Sequence, residues 1–244
     1  MKILIGESYE DISRKAALIV ASHLILNPRL VLGLATGSTP IGIYKELVTM
    51  FKRGDIDFSQ VTTFNLDEYC GLSREDENSY YFYMRKYLFN YLNIPAQQVH
   101  TLEGQAENIQ DECLKYEQEI NRAGGIDLQL LGIGTNGHIG FNEPNSKLST
   151  VTHLVNLTQK TIRDNSRFFE SVEDVPTRAL SMGMGTIMKA KKILLIASGE
   201  NKAKAIRGMT SGYLDPKVPA SLLQAHGDIT LILDREAASL IEKK

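Results

Sequence analysis

The chain has 244 residues, 43% of them hydrophobic and 23% charged, and its formal net charge at pH 7 is −2. This composition is typical of a globular protein with a large buried core, and it excludes the disordered and fibrous classes. Lys and Arg are scattered and no apolar run reaches the roughly 18 residues of a membrane span, so we expect neither nucleic acid nor a membrane as a partner.

The first predicted strand is "KILIG", residues 2–6, and its apolar run is too short for a signal peptide, so we expect a cytoplasmic protein. The later predicted strands are "RLVLGLA", "VTTFNL", "LQLLGIG", "KKILLIAS" and "ITLILD". The predicted helices cover Tyr9–Leu26, Ile41–Phe51, Ser79–Tyr91, Ile109–Arg122 and Lys202–Met209. This alternation is typical of βαβ units. We therefore expect one domain, residues 1–244, with an α/β fold: a three-layer α/β/α sandwich around a mostly parallel sheet.

The loop "ATGSTPIG", residues 35–42, follows the second predicted strand and opens a helix. Ligands of open parallel sheets bind where such loops meet, at the carboxyl ends of the strands. Gly37 permits close approach of a ligand, Ser38 and Thr39 supply hydroxyls, and the N–H groups of a helix start favour an anion. The Gly-x4-Gly-Lys-Ser/Thr nucleotide loop is absent. An ordinary Ser/Thr helix cap explains this loop equally well.

The next loop, "NLDEYCGL", residues 65–72, places Asp67 at the end of the third predicted strand. Alternation points Asp67 and Glu68 to opposite sides, so at most one of them faces a cleft at the strand ends. Adjacent acids in a loop are more often solvated than catalytic. Cys70 and Cys113 lack the spacing of a metal site, and we interpret both as free thiols.

The segment "SYYFYMRKYLFNYL" carries Tyr80, Tyr83, Tyr87 and Tyr91 at spacings that form one helical stripe. Packing against the core is the favoured interpretation of this stripe. A base-stacking platform needs more basic residues between its rings than this segment has.

The stretch "GIGTNGHIGFNEP", residues 132–144, combines closely spaced glycines with Asn136, His138 and Glu143. It does not fit a dinucleotide fingerprint, because Gly140 and Pro144 prevent the helix that such a loop requires. Histidine titrates near neutral pH, and Glu143 or Asn136 could hold its ring in one orientation. We therefore predict that His138 is an acid/base group. The remaining histidines are interpreted as structural: His23, His100, His153 and His226.

The loop "ASGENKAKAI" places Lys202 at a helix start, where a cation is unfavourable unless an anion binds there. Upstream, "IRDNSRFF" puts Arg163 and Arg167 one helical turn apart. One of these two arginines could join Lys202 in holding a phosphate while the other stays in solvent.

Five of these segments together resemble the glucosamine-6-phosphate deaminases: "LGLATGSTP", "FNLDEY", "GIGTNGHIGFNEP", "NSRFF" and "SGENKA", in matching order and spacing from about Val31 to Leu240. The resemblance implies a Rossmann-like sandwich of the deaminase/isomerase type. It also implies conversion of D-glucosamine 6-phosphate and water to D-fructose 6-phosphate and ammonia, without a metal or organic cofactor.

The resemblance also assigns roles to residues. Asp67 is implied as the base that moves a proton from C2 to C1, and His138, supported by Glu143 and Asn136, as the group that opens the pyranose ring. The phosphate is implied to bind Gly37, Ser38, Thr39, Arg167 and Lys202.

Two departures from the family pattern carry expectations. Many relatives have an aspartate at the position of Asn136, and an amide can orient His138 but cannot stabilise its cation by charge. The activated relatives have basic residues at the positions of His153 and Val155 and a longer C-terminal tail. We therefore expect no activation by N-acetylglucosamine 6-phosphate and a monomer rather than a hexamer.

Two other functions are compatible with this fold. A 6-phosphogluconolactonase-like hydrolase needs a phosphate anchor and a histidine but no carboxylate at C2. A sugar-phosphate sensor would carry a DNA-binding module, which the sequence before Lys2 leaves no room for.

Overall fold

A computed structural model of the chain describes residues 1–166 and 169–241. Its largest element is a seven-stranded sheet in the order β1-β10-β9-β6-β2-β3-β5, in which every neighbouring pair is parallel. These strands are β1 Lys2–Gly6, β2 Val31–Leu34, β3 Thr62–Asn65, β5 Val99–His100, β6 Leu128–Leu131, β9 Lys192–Ala197 and β10 Ile229–Asp234. All six predicted strands occur in it, and β5 is an additional short strand.

The helices flank this sheet, and the predicted α/β sandwich is confirmed. They are α1 Tyr9–Leu26, α2 Ile41–Arg53, α3 Tyr80–Tyr87, α4 Ile109–Arg122, α5 Gln159–Asn165, α6 Met184–Met188 and α7 Ala203–Met209. Ser8 caps α1 by accepting a hydrogen bond from the N–H of Asp11, and Asn108 caps α4 in the same way. Glu200–Lys202 forms a 3₁₀ turn before α7, so the helix predicted from Lys202 begins one residue later.

Side chains alternate between the two faces of the sheet and form a separate core on each. One face of β2 and β6 packs Leu32, Leu34, Leu128 and Leu130 against α1 and α2. The opposite face packs against α4, α6 and α7. These continuous apolar runs are typical of a parallel sheet that is covered on both sides.

A second sheet, which the sequence did not indicate, has three antiparallel strands in the order β4-β8-β7. Its strands are β4 Asp67–Tyr69, β7 His153–Asn156 and β8 Arg178–Ser181. Asp67 follows the third parallel strand, as the sequence predicted, but it lies in a strand of the second sheet rather than in a loop. That strand stops at Asn65, and Asp67 begins β4, where it pairs with Ser181.

The helix predicted over Ser79–Tyr91 extends too far at its C-terminal end. Ser79 is the N-cap, α3 ends at Tyr87, and Phe89–Tyr91 forms a separate 3₁₀ turn. Tyr91, which was predicted to belong to the helical stripe, therefore lies beyond α3, and it is 48% exposed. Its ring instead lies beneath Lys52 Nζ.

The strand order reverses direction at β2. The chain runs from β2 to β3 and β5 on one side, and then returns to β6 on the other side. The carboxyl ends of β2 and β6 therefore form the switch point at which α/β sheets of this type bind ligands. Within residues 1–166 and 169–241, no helix is both long and apolar enough to cross a membrane.

Candidate active site

A cleft of about 340 Å³ opens at this switch point, between the loops that follow β2 and β6. Six of the predicted site residues line it: Gly37, Ser38, Thr39, Asp67, His138 and Lys202. They come from four segments that are far apart in the chain. The topology brings them together because each segment follows a strand of the parallel sheet, namely β2, β3, β6 or β9.

The Asp67 carboxyl lines the cleft although the residue is only 6% exposed. Its Oδ1 has no hydrogen-bond partner among the described residues. Burial, together with the charge of Glu68, raises the pKa of Asp67 to about 8. A carboxyl with this pKa exchanges protons near neutral pH, which an ordinary aspartate does not do.

The Glu68 side chain points away from the cleft, as strand alternation predicts. Its carboxylate accepts hydrogen bonds from the N–H groups of Tyr69, Tyr80 and Tyr81, each at 2.9 Å. Burial raises the pKa of Glu68 to about 7, against the lowering effect of these donors. Glu68 therefore fixes the start of α3 to β4 and acts on Asp67 through its charge.

His138 lies in the loop after β6, and its ring occupies the space that a side chain at position 134 would fill. A Cβ atom at position 134 would lie 2.3 Å from His138 Cε1, so only glycine leaves room for the ring. His138 Nδ1 is 3.1 Å from Glu143 Oε1, although the ring N–H is not aligned with this oxygen as a hydrogen bond. The ring is thus held between a glycine and a carboxylate.

Three groups surround the Glu143 carboxylate. Asn136 Nδ2 donates to Oε2 at 2.7 Å, and Thr161 Oγ1 donates to Oε1 at 2.6 Å. Burial opposes ionisation of Glu143, but the contact with His138 and these two hydrogen bonds outweigh it and lower its pKa to about 2. The carboxylate is therefore charged throughout the neutral range.

The hydrogen bonds of the Asn136 side chain go to Glu143 and to the backbone of His138 rather than to its ring, which corrects one of the two orientations considered from the sequence. Its amide nitrogen bonds to Glu143, and its Oδ1 accepts the backbone N–H of His138 at 3.1 Å. Asn136 thus acts on the imidazole through Glu143, and this carboxylate supplies the negative charge that the amide lacks.

Several lining residues were missed from the sequence: Tyr80, Phe141, Thr161, Asn165 and Asn201. Thr161 and Asn165 belong to α5, whose seven residues give too short a periodic pattern to indicate a buried face. Asn201 adjoins Lys202 in "SGENKA", so its position beside a site residue was a usable signal. Tyr80 and Phe141 stack with centroids 6.0 Å apart and form an aromatic wall.

Of the two arginines considered for the phosphate, Arg163 is exposed and does not line the cleft. Arg167 lies outside the described residues. Lys202 stands at the N-cap of α7 and lines the cleft from the side of the β9 loop.

The four other histidines lie away from the cleft, in agreement with their structural interpretation. His100, for example, stacks on Phe64 and contacts Glu119 Oε2 at 3.1 Å. Cys70 and Cys113 are free thiols. Among the residues that the structure describes, no cluster of three or more His, Cys, Asp or Glu side chains has a metal-binding arrangement.

Comparison with known proteins identifies close relatives. The family model for glucosamine-6-phosphate isomerases/6-phosphogluconolactonase matches residues 7–231. A glucosamine-6-phosphate deaminase from Alkaliphilus oremlandii (strain OhILAs) is 65% identical over 241 residues, which cover 99% of this chain and 100% of the relative. The deaminase from Halothermothrix orenii is 58% identical with the same coverage.

Solved structures of proteins with the two activities in this family name also resemble the chain. A monomeric glucosamine-6-phosphate deaminase matches with a TM-score of 0.96 and 44% sequence identity, over 98% of this chain and 100% of that chain. A 6-phosphogluconolactonase from Leishmania guyanensis matches with a TM-score of 0.75 and 19% identity, over 99% of both chains. At that identity the second match shows a common fold alone.

Proposed function

Because the chain belongs to the glucosamine-6-phosphate isomerase/6-phosphogluconolactonase family, we propose that its cleft converts D-glucosamine 6-phosphate and water to D-fructose 6-phosphate and ammonia. The observation that carries this proposal is the buried carboxyl of Asp67, which lies with His138 in one cleft and has a pKa of about 8. A lactonase needs no such base at C2. Deamination through an enolamine does need one.

Ring opening is the first step, because the closed pyranose hides the aldehyde. His138 takes the proton of the C1 hydroxyl and delivers a proton to the ring oxygen, which breaks the C1–O5 bond and leaves the aldehyde. The negative Glu143 carboxylate, 3.1 Å from Nδ1, stabilises the imidazolium that forms during this exchange. Asn136 and Thr161 hold that carboxylate in place.

Proton transfer between the two carbons follows. Asp67 takes the C2 proton, the C2–C1 bond becomes double, and the aldehyde oxygen takes a proton from water, which iminium hydrolysis later returns, to give an enolamine. Asp67 then returns its proton to C1, and the nitrogen lone pair forms a C2 iminium. Water adds at C2 and ammonia leaves, which gives the ketone without net oxidation or reduction.

The phosphate holds the substrate at a distance from these carbons. Gly37, Ser38, Thr39 and Lys202 line the cleft together, and their N–H groups, hydroxyls and ammonium suit a dianion. Binding energy at this remote group orients C1 and C2 against Asp67. We retain Arg167 as a further phosphate ligand on the basis of the family motif "NSRFF".

The enzyme that we propose is one catalytic domain and a monomer that works in the cytoplasm. The single domain is supported by the cleft, which draws on segments spread from residue 35 to residue 202. The monomeric state is supported by the 44% identical monomeric deaminase. The cytoplasm is where a sugar phosphate occurs, because a dianion does not cross a hydrocarbon layer unaided.

The test is to incubate the purified protein with glucosamine 6-phosphate and to measure ammonia and fructose 6-phosphate together. Equal amounts of the two products are expected. Asp67→Asn should abolish both while a substrate analogue such as glucitol 6-phosphate still binds. A wild-type protein that opens 6-phosphogluconolactone but releases no ammonia would overturn the proposal.

A further inference from the structure

Three tyrosine hydroxyls meet the backbone of residues 35–39 from the side away from the cleft. Tyr9 begins α1, Tyr44 lies in the first turn of α2, and Tyr83 lies in the middle of α3. None of the three lines the cleft, whereas each of residues 35–39 does. The loop backbone therefore separates these hydroxyls from the cleft.

The hydroxyls bond to the carbonyl oxygens of four of the five loop residues. The contacts are Tyr44 Oη to Ala35 O at 2.5 Å, Tyr83 Oη to Gly37 O at 2.6 Å, and Tyr9 Oη to Thr39 O at 3.0 Å and to Ser38 O at 3.2 Å. Each hydroxyl is the donor, since a carbonyl can only accept. Tyr9 Oη in turn accepts the N–H of Gly42 at 2.8 Å, which ties the same hydroxyl to the start of α2.

These bonds determine the direction of the loop's N–H groups. In a trans peptide the C=O of one residue and the N–H of the next point in opposite directions. Carbonyls held towards the tyrosines therefore turn the N–H groups of Thr36, Ser38 and Thr39 to the cleft side. No residue within the described ranges accepts a hydrogen bond from these three N–H groups.

We propose that Tyr9, Tyr44 and Tyr83 are positioning residues for a phosphate dianion, because they hold the loop's carbonyl oxygens away from the cleft and its N–H groups towards it. This inference rests on the proposed binding of the substrate phosphate by residues 37–39. A carbonyl oxygen that rotated into the cleft would place its negative end against the dianion, and the N–H of that peptide would be lost as a donor. The hydroxyls prevent this rotation without entering the cleft.

Tyr44 and Tyr83 suit this role because they stay neutral donors. Burial raises the pKa of Tyr44 well above its ordinary value and does the same for Tyr83. The three hydroxyls come from three different helices, so the loop conformation is fixed by the packing of α1, α2 and α3. Gly37 adopts a φ of 101°, which glycine reaches without a steric penalty and residues with a side chain rarely adopt.

The test removes hydroxyls and keeps the rings. Tyr83→Phe, Tyr9→Phe and the double variant are compared with Tyr87→Phe, which alters the neighbouring ring on α3, 4.7 Å from that of Tyr83. Tyr44 is left intact because it is fully buried and its replacement could unfold the protein. The readouts are calorimetric binding of inorganic phosphate, kcat and KM for glucosamine 6-phosphate, and thermal unfolding.

Each single variant is expected to weaken phosphate binding by about threefold to tenfold, to raise KM by the same factor, and to leave kcat within about twofold of wild type. Tyr87→Phe should bind phosphate as wild type does. Unchanged phosphate binding in the folded double variant would overturn the positioning role. Equal losses in Tyr87→Phe would also overturn it, since they would reflect general loosening of α3.

The same measurements separate this proposal from the proposed reaction. A wild-type protein that binds phosphate but releases no ammonia would refute the reaction alone, and the tyrosine variants would still decide the positioning role. An active wild type whose variants bind phosphate normally would refute the positioning role alone. A wild type that neither binds phosphate nor releases ammonia would refute both.

Discussion

Replacement of Asp67 by asparagine should stabilise the protein while it abolishes activity. The wild-type carboxyl lies in a buried place where its charge is disfavoured, so burial raises its pKa from 3.8 to about 8. An amide of the same shape cannot ionise and avoids this cost. The change therefore separates what the fold requires at this position from what the chemistry requires.

The magnitude follows from proton linkage. In the unfolded chain Asp67 ionises near its ordinary pKa, whereas in the folded protein it keeps its proton until about pH 8. The stability that the protonated Asp67 contributes to the folded state is therefore fully present below pH 4 and is lost as the pH rises from 4 through 8. Between these two pH values the free energy of unfolding falls by about 1.4 kcal/mol per pH unit, which amounts to at most about 4 kcal/mol at pH 7.

The assay is denaturant unfolding of wild type and Asp67→Asn at several values between pH 5 and 8. The difference in unfolding free energy should favour the variant and grow with pH. Asp111→Asn, an exposed site in the first turn of α4, is the matched control for an acid-to-amide change. Parallel stability curves for wild type and Asp67→Asn would refute the reasoning, because they would mean that Asp67 ionises alike in both states.

Three further predictions concern the same cleft. First, kcat/KM should rise with pH up to about 8, since Asp67 must lose its proton to act as a base; a profile that is flat from pH 6 to 9 would contradict this. Second, Thr161→Val removes the hydrogen bond to Glu143 and should lower kcat about tenfold with little change in KM, whereas Thr161→Ser should retain wild-type rates; equal kinetics in the two variants would count against the role of Thr161. Third, Gly134→Ala should displace the His138 ring and reduce kcat by about a hundredfold, and full activity in this variant would show that the ring position is not critical.

The parallel sheet could be predicted from the sequence because its strands are buried on both faces. Such strands read as short, continuous apolar runs, and "ITLILD" matches its strand to the residue. The first residues of α1 and α4 were also predictable, because Ser8 and Asn108 are strong N-caps. Signals of this kind are local, and they hold wherever the local preference agrees with the packing.

The antiparallel sheet could not be predicted, because nothing local specifies it. Strand β4 has three residues, and its partner β8 begins more than 100 residues later in the chain. Strand β7 alternates between half-buried and exposed residues and has no apolar run. Pairing of such segments depends on contacts that only the folded chain creates.

Part of the candidate site could also be predicted from the sequence. Residues on strand-end loops could be identified because topology alone brings those loops together. The role of Asn136 could not, because spacing in the sequence does not say whether its amide reaches the imidazole or Glu143. The tyrosine contacts behind residues 35–39 were hidden for the same reason: Tyr9 and Tyr83 belong to helices far from that loop in sequence.

Of the two catalytic groups that we propose, Asp67 lies in the second sheet and His138 in a loop that follows a strand of the first, so the distance between them depends on how the two sheets join. Leu66 links β3 to β4, and its carbonyl accepts the N–H of Met182 at 2.9 Å. Ser181, which pairs with Asp67 across the second sheet, accepts the N–H of Phe141 from the His138 loop at 3.1 Å. The strand that carries the proposed base is therefore connected to the loop that carries His138 through β8, which pairs with β4 and accepts the N–H of Phe141. We expect this short antiparallel sheet to hold Asp67 in register with His138.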